Sequence, residues 1–243
     1  MNIEHEFNRR LEFFRVEVES AMQFFYAYLT IHDVASEDTH VYEVLNDYAV
    51  FWMTNLGALQ TSAFIVIGRI FDKTSDHNVH ELIGFAMSNP SIFSKDALRE
   101  RKANSSPGVK PWLNKYINEA YEPKASDFTR LRGYVSKYNK LYTRNYRDLR
   151  HKIFAHSEVS DREGQAKLFA KTNVRELERM LAFLASLHDA LSQMLINGRK
   201  PILRPRRYSM KSIRRGERTG GRTQQIQERI THQTEAFLRT LKT

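Results

Sequence analysis

Residues 3–35 read IEHEFNRRLEFFRVEVESAMQFFYAYLTIHDVA, and this stretch decides the fold. Phe7, Leu11, Phe14, Val18, Met22, Phe25 and Leu29 recur at spacings of three and four, which is the period of one helical face. The intervening Glu, Arg and Gln residues occupy the opposite side, so the spacing predicts a single amphipathic helix over Ile3–Ala35 that buries one stripe. A helix of that length cannot be stable by its own propensity and needs further helices to cover the stripe.

Those helices follow in the sequence. Ser36 and Asp38 are candidate caps for a second one over about Val41–Phe71, apolar on most sides after Phe51 and therefore expected at the centre of a bundle. Thr74–Asn78 is a polar break. Short helices are expected over His80–Met87, Ser91–Lys102 and Pro111–Tyr121, with Asn104–Gly108 as a loop between the last two. Ser126 or Asp127 caps a long helix to about Ala155, and Ser157–Gly164 is a loop. Asn173 caps Val174–Ile196, whose seam is Leu177, Leu181, Leu184, Leu187, Leu191 and Leu195. Asn197-Gly198 ends it. No strand pairing, internal repeat or Gly-rich phosphate loop is visible, so the expected class is all-α: a bundle of long antiparallel helices over residues 1–198. Residues 199–243 are expected to form a basic C-terminal segment, extended or disordered over 199–223, with a short helix over 224–241 that places Ile226, Ile230 and Phe237 on one face.

Charge separates the same two parts. The chain of 243 residues carries a net +10. Ten Lys/Arg stand against the single acid Glu217 between Arg199 and Thr223, while residues 1–198 are neutral. A one-sign block attracts phosphate polymers, although it would also serve as a solubilising tail. The absence of cysteine excludes a disulfide framework and thiolate metal sites and fits a reducing compartment. The N-terminus lacks the pattern of a signal peptide. The most apolar stretch, Phe51–Phe71, is interrupted by Asn55, Gln60, Thr61, Ser62 and Arg69 and falls short of an unbroken run of about 18 residues. The expectation is a cytoplasmic protein with no membrane span. His77 and His80 lie in a break with irregular spacing and no ligand pattern, so neither a metal nor any other cofactor is expected.

Chemistry concentrates in Tyr142–Glu158, YTRNYRDLRHKIFAHSE. Arg144, Arg147, Arg150, His151, Lys152 and His156 fall together just before an expected helix end. Arginine and histidine are the side chains needed to cut RNA without a metal. An imidazole near neutral pKa can take a proton from a 2′-hydroxyl or give one to a leaving 5′-oxygen. A guanidinium stays charged and binds phosphate through two N–H groups. Residues 150 and 156 stand about 120° apart on an ideal helix, so they converge only if the helix ends between them or two protomers share the site.

The run Arg150-His151-Lys152-Ile153-Phe154-Ala155-His156 resembles the R-x(4–6)-H signature of HEPN ribonucleases, with a polar residue after the arginine. Arg147 lies outside the allowed gap from either histidine. Ala63–Asp72, AFIVIGRIFD, is similar to the apolar helix ending in Arg-x-x-Asp of the AbiU-like abortive-infection branch of that superfamily. The resemblance covers about residues 1–197 and leaves the basic segment unexplained. It implies a homodimer in which two motifs meet in one cleft, cleavage without metal, and a 2′,3′-cyclic phosphate product. It also implies the roles: Arg150 clamps the scissile phosphate, His156 is acid or base, and His151 orients the motif or binds RNA. Arg69 and Asp72 are expected as an internal ion pair or a brace under the active-site helix.

RNA contacts are expected from Arg144, Arg147, Lys152, Arg206, Arg207, Arg214 and Arg215, with Tyr208 placed to stack on a base. The function expected is an RNA endonuclease acting as a toxin or antiviral effector, with an antitoxin as a conceivable partner. The alternatives are a non-catalytic RNA-binding HEPN regulator and a partner-binding bundle.

Overall fold

The computed structural model of the chain describes residues 2–105, 108, 110–150, 172–206, 209–216 and 225–241. Among these there is no strand, and the class is all-α. In chain order the helices are α1 (Ile3–Glu37), α2 (Thr39–Asp47), α3 (Ala49–Phe71), α4 (Val79–Ser88), a 3-10 turn (Pro90–Phe93), α5 (Lys95–Asn104), α6 (Leu113–Glu119), α7 (Ala125–Asn145), α8 (Arg147–Leu149), α9 (Val174–Asn197), α10 (Met210–Arg214) and α11 (Ile226–Thr240). The chain divides into two compact units, each built from three separate segments.

The first unit comprises Met1–Val16, Arg69–Tyr142 and Phe183–Pro205. Phe7 of α1 sits edge-on to Phe93 with centroids 5.1 Å apart, and Phe93 in turn meets Phe128 of α7. Tyr138 stacks on Phe183 and Phe71 on Tyr142. Asp127, buried within the first turn of α7, accepts from the Tyr121 hydroxyl at 2.6 Å and the Lys124 amide at 3.0 Å. Gly198 ends α9 at φ +56°, where a Cβ would come within 2.6 Å of Leu98 and 2.9 Å of Ala120. The turn therefore needs glycine twice over, for its backbone angle and for its neighbours. Beyond it the chain is extended and pinned: the Arg204 amide donates to Ser186 Oγ at 2.7 Å, and Pro201 O accepts from Arg130.

The second unit comprises Glu17–Gly68, Thr143–Ala182 and Arg206–Thr243. Ile31, Val34, Val41 and Leu238 form a buried cluster, with Leu45, Trp52, Leu56, Leu59 and Leu241 packed against it. This packing explains the first departure from the sequence expectation. The helix expected over Val41–Phe71 is broken at Tyr48, whose backbone leaves the helical region at φ −111°, ψ 42°. The break lets Val41 and Leu45 of α2 and Trp52, Leu56 and Leu59 of α3 all reach one cluster, a tertiary gain that outweighs helix continuity. Asp38, rather than Ser36, caps α2 by accepting from the Val41 amide.

A second correction concerns α3. It was expected in the bundle centre along its length, but no residue before Ala63 is buried. Val50, Phe51 and Met53 are 83%, 61% and 72% exposed, so a large apolar face stands open. By length and composition alone helix α3 could cross a membrane, a weak signal that the core helix of a protein outside any membrane gives equally. Its last third is packed instead: Phe64, Ile67, Ile70 and Phe71 are all buried.

The basic segment is more ordered than expected. Helix α10 lies within the stretch read as extended, and Met210 accepts a contact from the Thr30 hydroxyl of α1 at 3.2 Å through its sulfur. Helix α11 forms, capped by a reciprocal Gln225–Glu228 box, but on a different face. Gln227, Glu228, Thr231 and Leu238 are buried, while Phe237 is exposed. The reason is α10, whose Met210 meets Thr231 and whose Ile213 carbonyl holds His232 at 3.1 Å.

Candidate active site

The long helix expected from Ser126 to Ala155 stops at Asn145. Tyr146 turns out of helical geometry at φ −124°, and a single turn, α8, carries the chain to Arg150. The tyrosine accounts for the stop. Its ring is fully buried, stacked on Phe64 of α3 with centroids 6.1 Å apart. Its hydroxyl lies 3.2 Å from both Asn173 O and Glu176 Oε2 and accepts from the Asn173 amide at 3.3 Å. Asn145 adds a 2.8 Å bond from Nδ2 to the same carboxylate oxygen. Residues 145 and 146 thus hook onto the N-terminus of α9, which Asn173 caps by accepting from Arg175 N at 2.8 Å. Burial, with the Glu176 carboxylate adding, pushes the phenol far above its ordinary range, so it remains a protonated donor at every working pH. Tyr146→Phe should lower stability by about 1 kcal/mol, read as a fall in the urea midpoint at unchanged slope, since one buried network is left a partner short.

Arg150 follows one turn later, its amide bonded to Tyr146 O at 3.0 Å. Leu149 beside it is fully buried and fixes the orientation of α8. The arginine side chain lies across the backbone of α3 at Gly68. A Cβ built on Gly68 would sit 2.4 Å from Arg150 Cδ, 2.5 Å from Nε and 3.1 Å from Cζ. The guanidinium therefore rests where α3 has no side chain. Immediately along α3, Ala63, Phe64 and Ile67 line an apolar pocket of about 130 Å³ together with Phe25, Tyr28 and Leu177. Gln60 supplies a polar group to its wall.

The remaining expected site residues are distributed as follows. His151, Lys152 and His156 lie outside the described residues, as do Arg207 and Tyr208. Arg144 and Arg147 are exposed, Arg144 donating to Asn145 Oδ1 at 3.1 Å. Arg69 is exposed in the last turn of α3, where its charge complements the helix end. Asp72 closes that end by accepting from Thr74 N and Oγ1 at 3.1 and 2.8 Å. Arg206 and Arg215 are exposed.

Arg214 is placed differently from its neighbours. Its Nη1 donates to Asp33 at 2.6 Å and Glu37 at 2.8 Å, and its Nη2 to Glu235 at 3.1 Å. Three carboxylates already occupy this guanidinium, which ties α10 to α1 and α11 rather than presenting it to phosphate.

Among the described residues no group of three His, Asp or Glu side chains could hold a metal ion. His77 packs its ring against Phe13 with centroids 4.6 Å apart. Burial lowers the His80 pKa, partly offset by a hydrogen bond with Asn139. Both imidazoles are packing elements of the first unit.

Sequence reasoning missed Gly68 and Tyr146. Gly68 left a faint trace as one of two glycines in an apolar helical run, where each costs about 1 kcal/mol relative to alanine. Tyr146 looked like one more residue of a helix.

Compared with known proteins, the chain matches the family model HEPN_AbiU2, described as AbiU2, over residues 4–214. The match extends beyond the expected limit near residue 197 and takes in α10 with Arg214. No curated protein and no solved structure matches the chain.

Proposed function

Because the chain belongs to the AbiU2 family of HEPN proteins, we propose that it is a metal-independent endoribonuclease, acting as a toxin or antiviral abortive-infection effector in a prokaryotic cytoplasm. The observation that carries this reading is Arg150, the first residue of the Arg150–His156 motif, seated on the bare backbone of α3 at Gly68. A guanidinium fixed in one place is what electrostatic stabilisation of a phosphorane-like transition state requires.

The chemistry needs little else. The 2′-oxygen of the substrate attacks the adjacent phosphorus while the bond to the 5′-oxygen breaks, leaving a 2′,3′-cyclic phosphate and a 5′-hydroxyl. One imidazole takes the 2′-proton and another protonates the leaving oxygen. His156 is the residue proposed for this exchange, with His151 orienting the motif. Arg150 neutralises charge on the non-bridging oxygens through paired N–H donors. Arg144, Arg147, Arg206 and Arg215, all exposed, are the cations proposed to hold the flanking RNA backbone. The same cations would suit an acidic antitoxin.

Two copies of the chain complete the cleft. The open face of α3 supports this, because residues 48–68 contain no Asp, Glu, Lys or Arg. A patch without charge is compatible with itself across a two-fold axis, where a charged one would repel its own image. Phe51→Asp should convert a dimer into a monomer of half the mass by light scattering, with helical content unchanged. A wild-type protein that is monomeric at every concentration would remove this part of the reading. Cleavage of RNA in EDTA, and its loss in Arg150→Ala and His156→Ala, tests the whole. Binding without cleavage, abolished by deleting residues 199–243 and unaffected at His156, would leave an RNA-binding regulator in its place.

A further inference from the structure

We propose that Gly68 is a positioning residue for Arg150: the missing side chain on α3 forms the seat that sets where the guanidinium can lie. The inference rests on the reading of Arg150 as the phosphate clamp. It goes further in naming a residue outside the Arg–His motif on which the motif depends.

The argument begins with what Gly68 does not need. Its φ lies in the ordinary range, unlike Gly108, Gly198 and Gly216, which have positive values. Helical backbone at this position would accept alanine, the better helix former, so local structure gives glycine no advantage. The other helical glycines, Gly57, Gly84 and Gly133, have nothing within 4 Å of a Cβ. At Gly68 the three nearest atoms all belong to Arg150, two of them closer than any real Cβ contact. Gly68 is itself buried, at the packed end of α3. The clashing atoms are the far end of a flexible side chain and not backbone. A methyl group would therefore displace the guanidinium and leave the helices where they are.

Displacement matters because the clamp acts by position. A misplacement of about 1 Å can cost a hundredfold in rate when the group works on the transition state. Arginine carries its donors in a rigid fork, so a shift at Nε and Cζ moves every donor at once.

The test uses the full chain as wild type, Gly68→Ala, Arg150→Ala and the double variant. Cleavage of a labelled mixed-sequence single-stranded RNA is followed in EDTA, together with thermal unfolding and the Arg150 Nε–Hε resonance, assigned by its loss in Arg150→Ala. Gly68→Ala should lower kcat between about ten- and a hundredfold, with KM changed far less, Tm unchanged or raised, and the resonance moved. The double variant should be no slower than Arg150→Ala alone, because both substitutions act through one group. Gly68→Ala cutting at the wild-type rate while Arg150→Ala is inactive would overturn the inference and leave the nuclease reading intact. Arg150→Ala cutting normally, or a wild type that cuts nothing, would remove the nuclease reading. The resonance then decides alone: moved, it supports the seat, and unmoved, it refutes it. If Gly68→Ala unfolds the protein, normal folding in the Arg150→Ala background supports the contact, and unfolding there too defeats it.

Discussion

Arg150→Ala should cleave RNA about 10²–10³-fold more slowly than the wild type, the size of effect seen when one preorganised donor to a developing oxyanion is removed. The loss belongs in kcat, because the phosphate carries its extra charge only near the transition state. RNA binding should fall modestly, since on the proposed reading the exposed arginines of α7, α8 and the basic segment would still hold the backbone. Arg150→Lys should recover little. Lysine supplies a point charge but no planar pair of donors, and its ammonium would not reproduce the position of the guanidinium over Gly68. His156→Ala should cost a comparable factor, about 10²–10⁴-fold, by removing proton transfer. Its signature is different: the residual rate should lose the limb of the pH profile that reports the imidazole. Equal rates for wild type and Arg150→Ala would end the assignment.

The second large effect concerns stability. Arg214→Ala should destabilise the protein by about 2 kcal/mol, between the small worth of exposed ion pairs and the 3–5 kcal/mol typical of breaking a buried one. The arginine is 11% exposed, and its removal takes this counter-charge from Asp33 and Glu37 and leaves Glu235 with Arg239. Acid should reproduce part of the loss. Burial raises the Glu235 pKa, but hydrogen bonds from Arg214 and Arg239 outweigh it and hold the carboxyl below its ordinary value. A carboxyl depressed in the folded state stabilises above its unfolded pKa, and the contribution is lost as pH falls through the folded one. Denaturant midpoints should therefore drop below about pH 4 in the wild type and far less in Arg214→Ala. Unchanged RNA affinity in Arg214→Ala would assign this residue to the fold; a steep loss of affinity at wild-type stability would assign it to RNA.

Local signals were legible in the sequence and distant ones were not. The stripe from Phe7 to Phe25, the leucine seam of α9, the Asn173 cap and the Gly198 stop are all read from spacings within one or two turns. Each is fixed by neighbours in the chain, so periodicity and capping chemistry suffice. Tyr48 and Tyr146 break helices because of partners that no window of sequence contains: the cluster around Ile31 and Leu238 in one case, Asn173 and Glu176 in the other. The ion pairs of Arg214 were equally invisible, because its carboxylate partner Asp33 lies 181 positions away. The candidate site divides in the same manner. The Arg–His motif is a local pattern, while the seat at Gly68 exists only once α3 and α8 have met.

The hook at Tyr146 has a consequence for how this protein can vary. Tyr146 and Asn173 are 27 positions apart and held in direct contact, so the chain between them leaves and returns at one point. In the unfolded chain the entropy of bringing two such points together grows only with the logarithm of their separation, so doubling that separation would cost about 0.6 kcal/mol. The number of residues between Tyr146 and Asn173 should therefore have little weight in the closure entropy of the clasp.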